Sequence, residues 1–467
     1  MEQNERQPNP RRRRKTKLEI FKEAYLPTII IGVAVVLILV FIIGAITRSE
    51  HLSDTAPQIA TEPTEDPALL EQEALVRKLL DDAQKLAWDY EFEQAVALLD
   101  SFTGDISAYP DLAYKRSEYA QQASQMVAWS DPSQIVNLSF HGLIADPSRA
   151  FVDANYGKSY NKNFVTIGEF SEILEQLYDN GYVLVSLSDI FSVQTDANGY
   201  TTCTAKSIKL PLGKKPLVLT QTNVNYYNYM IDGNGDGVAD ANGSGFASRL
   251  MVDENGKLTC EMVDFLGNTV TGDYDLVPIL EGFIQAHPDF SYKGARAVLA
   301  VSGYDGIFGY RTTASVKASK GEAYYNAQVE GAKKLVAALR ETGYELACYT
   351  YNNVAYGSIS TQEIQFDLNS WKNEVTPILG ATDILVFAQN SDIGAYSGSK
   401  FNLLQNAGFR QYLDLGDGRS AAQVGSNFVS LQRLMVTGSQ MAHSASAFTG
   451  LFNPTEILDT SRGSVQR

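Results

Sequence analysis

The chain is poor in the residues that build metal centres and disulfide frameworks. Its 467 residues include only three cysteines and four histidines. No CxxC pair or Cys/His spacing points to zinc, and no two of His51, His141, His287 and His443 sit close in sequence. Three cysteines allow at most one disulfide, for which Cys203 and Cys260 are the favoured pair. Positive charge is also scarce, with 38 Lys and Arg against 54 Asp and Glu, a net charge of −16. What there is lies at one end. Residues 1–48 hold nine Lys or Arg against four Glu, or +5, so the remainder is −16 − 5 = −21. So acidic a body repels phosphates and is a poor nucleic-acid binder.

Long apolar runs are absent but for one. Ile29–Ile46, IIIGVAVVLILVFIIGAI, carries no polar or charged side chain. With Leu26–Thr28 before it and Thr47 after it, the run is long enough to cross a hydrocarbon core of ~30 Å. RRRRKTK precedes it and Arg48 stops it. The layout predicts a basic cytoplasmic tail over 1–25, a single-pass membrane helix over 26–47, and everything after it outside the cell. A cleaved signal peptide is the alternative, and it too makes the body extracytoplasmic.

A Pro/Thr-rich linker follows over 48–67. Apolar residues at helical spacing then predict a helical collar over 68–131, part of which resembles one tetratricopeptide-like hairpin. One such unit cannot bury its own face, so it is expected to pack on the body. From 134 onward the pattern becomes α/β. Strands are expected at 135–140, 182–187, 215–220, 295–301, 344–350, 382–387 and 410–415, and helices at 165–181, 323–343 and 400–409. Thr166 can cap the first of these helices and Gly181 can end it. Apolar strands alternating with amphipathic helices mean parallel β/α units, in a barrel or a large doubly wound sheet. The domain is placed at 134–445 and a C-terminal tail at 446–467.

Two segments point to chemistry. LVLTQTNVNYYNYM, 217–230, runs a strand into a polar, uncharged tip, and α/β enzymes keep their chemistry at such tips. DGNGDGVADANG, 232–243, spaces Asp232, Asn234, Asp236, the Val238 carbonyl and Asp240 as an isolated calcium loop would, although Gly243 stands where the last, bidentate ligand belongs. A Gly-rich turn between strands is the competing reading. Residues 244–274 read as a β-hairpin insertion with ENG and LGN as turns.

VTIGEFSEILEQLYDNGYVLVSLSDI is similar to the first helix-and-strand unit of polysaccharide deacetylases of the NodB-homology type. SFHGLIADPSRAF, DFSYKGARAVLAVSGYDGIFGYRT and TDILVFAQNSDIGAYSGSKFNLLQNAGFR resemble segments of the membrane-anchored members of that family from Gram-positive anaerobes. The resemblance covers about 134–441. It implies an irregular (β/α) NodB-like barrel, here preceded by a transmembrane helix and a short helical region, with the site at the C-terminal strand ends. It also implies a metal held by one Asp and two His, with a second Asp as base and a further His as acid. Here the Asp pair falls on Thr222 and Asn223, and the two histidines on Tyr349 and Asn353. The later strand-end turn reads Ala388, Gln389, Asn390. The late basic segment keeps Arg433 and Gly438, with Thr437 for the Asp. Uncharged oxygens are weak ligands for such an ion, and Asn223 cannot act as a base. No catalytic zinc is therefore expected.

His141, Tyr226, Tyr227, Tyr310 and Arg311 match positions that the subgroup retains, and would bind substrate. For four of them a structural role competes: a strand-end hydrogen bond for His141, packing for Tyr226 and Tyr227, an ion pair for Arg311. Three functions follow. The first is a catalytically silent, cell-surface deacetylase-like protein that binds a cell-wall or other extracellular glycan. The second is an active hydrolase removing N-acetyl groups from cell-wall polysaccharide. The third is a scaffold whose collar binds a protein partner.

Overall fold

The structure, a computed structural model, describes residues 67–416 and 421–466. Residues 71–467 form one compact unit; of the other unit, residues 1–70, only 67–70 are described. The apolar run 29–46 and its basic flank therefore lie outside the described residues. Among the described residues no helix is long and apolar enough to cross a membrane.

The described residues open with three helices, α1 (Pro67–Trp88), α2 (Phe92–Asp100) and α3 (Pro110–Ser124). The β/α part follows as β1 (Val136–Phe140), α4 (Ile167–Asp179), β2 (Lys215–Thr222), α5 (Leu276–Ala286), β3 (Val298–Val301), α6 (Glu322–Thr342) and β4 (Glu345–Cys348). It continues as α7 (Thr361–Ser370), β5 (Ile384–Val386), α8 (Gly398–Asn406), β6 (Gln411–Leu415), β7 (Val429–Met435) and α9 (Gly438–His443). Each of the seven strands pairs in parallel with the next, and β7 closes on β1 through Leu434↔Leu138 and Met435↔Ser139. The result is a closed seven-stranded parallel barrel with helices around it, the fold class that the resemblance implied.

Alternation along the strands divides the core into two shells. Leu217, Leu219, Leu299, Leu346 and Leu385 face outward into one cluster with Phe170, Leu174 and Leu177 of α4 and Leu335 and Leu339 of α6. Val218, Val298, Ala300, Ala347, Val386 and Leu431 face inward into another. Helix α4 starts on a capping box, Thr166 with Glu169, as its sequence predicts. It ends before Gly181 at φ +79°, where a Cβ would meet the Gly213 carbonyl at 2.6 Å. The strand expected over 182–187 is cut to Tyr182–Leu184, because Ser186 caps a short turn, Leu187–Ile190.

The collar shares the inner cluster through Ala83, Ala95, Leu99 and Tyr119, together with Ile135 just before β1. Tyr90 stacks on Tyr292 at 6.1 Å and donates from its hydroxyl to the Asp289 carbonyl at 2.5 Å. Lys293 pairs with Glu91. These contacts place the collar at the N-terminal ends of the strands, away from the barrel mouth. The insertion 244–274 holds three antiparallel strands rather than a hairpin, Arg249–Val252, Leu258–Val263 and Thr269–Gly272.

One sequence expectation needs correction. Cys203 and Cys260 do not pair. All three cysteines are free and buried, and these two belong to different hydrophobic clusters. The described part of the C-terminal tail is docked on the domain. Arg462 reaches inward and donates to both carboxylate oxygens of Glu169, at 2.5 Å each, and to the carbonyls of Asn161 and Phe164 at 2.7 Å.

Candidate functional site at the barrel mouth

The C-terminal ends of β1, β2, β4 and β5 surround a cleft of about 280 Å³. His141 follows β1. Thr222 ends β2, and Asn223 follows at φ +57°, a left-handed conformation that asparagine tolerates better than most residues. Tyr349 follows β4, and Gln389 and Asn390 follow β5. His141, Asn223, Tyr226, Tyr227, Tyr229, Tyr349, Gln389 and Asn390 all line the cleft.

The polar groups are already tied to one another. The Thr222 hydroxyl lies 2.9 Å from Nδ1 of His141 and 3.2 Å from the Phe140 carbonyl. The Tyr227 hydroxyl donates to Oδ1 of Asn223 at 2.8 Å and meets Oγ of Ser302 at 2.8 Å. Gln389 Nε2 donates to Oδ1 of Asn353 at 3.3 Å. Asn225, which lacks a functional signal in sequence, fixes the loop. Its side chain donates to the carbonyls of Ser302 at 2.8 Å and Gly306 at 2.5 Å, and accepts from the Ser302 amide at 3.0 Å. The tips of β2 and β3 are thereby locked together.

Below the cleft lies Arg433, facing into the barrel from β7 and 1% exposed. It donates to Oγ of Ser139 at 3.1 Å and to the carbonyls of Phe387 at 3.0 Å and Leu413 at 3.3 Å. Among the described residues no carboxylate lies within 4 Å of it. Burial and the nearby guanidinium push the His141 pKa down to about 4, so its imidazole is neutral at physiological pH. Burial raises the Tyr349 phenol, against the pull of Arg433.

Whether these residues suit a divalent metal can be judged from their bonds. Oδ1 of Asn223 is committed to Tyr227 and the Thr222 hydroxyl to His141 and Phe140. The nearest formal charge on the floor is a cation. Among the described residues no group of three or more His, Cys, Asp or Glu could hold a metal. Thr222, Asn223, Tyr349 and Asn353 do not fit the ion that the resemblance implied.

No protein-family model matches the chain, and no curated protein matches it. Among solved structures the chain is similar to the Streptococcus pyogenes deacetylase PplD in complex with acetate. That pair is 13% identical with a TM-score of 0.36, over 66% of this chain and 95% of that one. It is also similar to a Bacillus anthracis protein assigned to the polysaccharide deacetylases, 11% identical with a TM-score of 0.34, over 65% of each chain. The barrel assignment rests on the strand pairing described above.

Of the remaining expected site residues, Tyr226 belongs to the cleft wall and the others lie elsewhere. Tyr226 presents its ring to the cleft, but its hydroxyl points away and donates to Oδ2 of Asp275 at 2.5 Å. Asp275 is a buried carboxylate that the sequence did not connect with β2. It accepts from the Leu143 amide and from Gln221 and Tyr226, in the shell between barrel and helices, and burial raises its pKa. It does not line the cleft. Arg311 braces the β2 loop, donating to the carbonyls of Tyr226 at 2.7 Å and Asp305 at 2.9 Å. Tyr310 lies under Arg249, 5.1 Å from its ring centre. In the loop 232–243, Asp232 accepts from the amides of Asn234, Gly235 and Gly237, Asp236 from Val238, and Asp240 from Gly233 and Asn242. These bonds fold the loop around the carboxylates of Asp232, Asp236 and Asp240.

The His141 shift has a measurable consequence. Its folded pKa lies below the ordinary 6.5, so its contribution is complete above 6.5 and is lost as pH falls toward 4. Wild type is expected to lose about 2 kcal/mol relative to His141→Gln between pH 7 and pH 5, read from urea midpoints. A constant difference between the two proteins would mean that the imidazole is solvated. Asp414 has the opposite sign. Burial raises its pKa to about 6, so its contribution is present in acid and lost as pH rises through 6.

Proposed function

We propose that this chain is a deacetylase-like protein of the cell surface, held there by residues 26–47, whose barrel mouth binds a glycan without metal-dependent deacetylation. The observation that carries this reading is the lining of the cleft: tyrosine rings, amides and a neutral imidazole, with no carboxylate among them. Amide hydrolysis at neutral pH needs an activated water, from a metal or a base of suitable pKa. Sugar recognition needs aromatic surface and fixed polar groups, and the cleft provides both.

Tyr229 is the informative position, because it is 46% exposed and lines the cleft. Calorimetry with N-acetylglucosamine oligomers is expected to show binding that Tyr229→Ala weakens about tenfold. Equal affinity in wild type and variant would move the glycan to another face.

A further inference from the structure

The insertion 244–274 presents an apolar pair to solvent where its fold does not require one. Three hairpin turns of the chain share one design, Asp-x-x-Gly-x, at 196–200, 253–257 and 264–268. In each the aspartate accepts from the amides two and four residues on, at 2.8–2.9 Å, and the glycine is left-handed, at φ +82° to +85°. Such turns favour small and polar residues, and the first two carry Ala-Asn and Glu-Asn at their centres. The third carries Phe265 and Leu266, which are 71% and 70% exposed. The same backbone bonds hold all three turns, so the apolar pair adds nothing that Ala-Asn would not. Left in water, it forgoes the free energy of burial.

The pair does not stand alone. Arg149 ties three segments together, donating to the carbonyls of Gly243 at 2.5 Å, Val263 at 2.7 Å and Asp240 at 3.3 Å. A Cβ on Gly267 would meet that of Ala241 at 4.0 Å. The turn 264–268, the loop 232–243 and the segment 146–153 therefore form one surface, which also exposes Val152 at 77% and Val238 at 60%. Among the described residues eight large apolar or aromatic side chains are exposed by 60% or more, and four of them are here. Exposed apolar groups gathered among polar ones mark a contact surface, whereas scattered ones do not. The surface is also acidic. Its three segments contain six Asp and one Arg, and that Arg149 is committed to carbonyls. A second copy of the chain would bring like charge to it, and a membrane of anionic lipid would be repelled.

We propose that this surface docks a basic, amphipathic polypeptide segment, with its apolar side chains against Phe265, Leu266, Val152 and Val238 and its Lys or Arg against the carboxylates around them. The test is fluorescence anisotropy of three labelled peptides, of Leu and Lys, of Ser and Lys, and of Leu and Glu, titrated with the full-length chain. The Leu/Lys peptide is expected to bind, with an affinity that falls as salt rises. The other two should bind about tenfold more weakly or worse. Phe265→Ala combined with Leu266→Asn installs the pair of the 196–200 turn and keeps the charge. It should leave the urea midpoint unchanged and weaken the Leu/Lys peptide about tenfold. Val152→Ser, in a second segment, should weaken it in the same direction. No binding of the Leu/Lys peptide, equal binding of the Ser/Lys or Leu/Glu peptide, or binding that survives all these substitutions overturns the proposal. Self-association of the chain, or capture by anionic vesicles, that the Phe265 and Leu266 substitutions lower would overturn it in favour of a second copy or a membrane.

Discussion

Arg462→Ala is expected to cost the folded chain about 3–5 kcal/mol, the range for removing one partner of a buried ion pair. The pair it forms with Glu169 is almost wholly enclosed, with side chains 2% and 1% exposed. The geometry is a bidentate fork, which is the strong form of the interaction. Glu169 would keep two donors, the Thr166 amide at 2.8 Å and the Asp459 amide at 2.8 Å. It would lose its only cation among the described residues, and the carbonyls of Asn161 and Phe164 would lose a donor. An exposed pair such as Lys78 with Asp82 is screened by solvent and is expected to contribute far less by contrast. Urea unfolding of the two alanine variants, Arg462→Ala and Lys78→Ala, separates these cases. A loss below about 1 kcal/mol for Arg462→Ala would mean that the C-terminal segment is not docked as described.

The second large effect is at Arg433. Arg433→Ala is expected to cost about 3–5 kcal/mol, because it empties the barrel centre and strips donors from Ser139, Phe387 and Leu413. Arg433→Met keeps most of the volume and removes a charge that has no described carboxylate within 4 Å. A hydrophobic replacement of a buried charge is often neutral or stabilising, so this variant should lie well above the alanine variant in stability. The same substitution carries a second signature. Arg433 is one of the two causes that depress His141, so the imidazole should titrate at higher pH in Arg433→Met when followed by NMR. An unmoved His141 pKa would leave burial as its sole cause.

Much of the fold was legible because the barrel obeys local rules. Thr166 and Gly181 mark the ends of α4, and the apolar runs at 135–140, 215–220 and 410–415 become β1, β2 and β6 with small shifts. The closing strand was not legible. Val429, Leu431 and Met435 alternate as a strand should, but Arg433 takes the inward position between them. A guanidinium in a barrel interior reads as surface until its acceptors are known. Asp275 escaped for a related reason. It lies 54 residues beyond Gln221 in the chain, and only the packing of α5 brings the two side chains together.

The site was half legible. Thr222, Asn223 and Tyr349 do gather at the mouth, and their lack of charge was visible in the sequence. The bonds that commit Thr222 to His141 and Asn223 to Tyr227 were not, since they join different strand ends or depend on a left-handed turn. Tyr226 shows the limit most clearly. It is adjacent to Tyr227, yet the two hydroxyls point to opposite sides of the barrel wall, one to Asp275 and one to Asn223.

The most direct test of the account is acetate release from N-acetylglucosamine oligomers by the purified full-length chain, with and without added zinc, alongside calorimetric binding of the same oligomers. The account predicts binding that Tyr229→Ala weakens, and no acetate above the protein-free control in either condition. Zinc-dependent acetate release by the wild-type chain would contradict it.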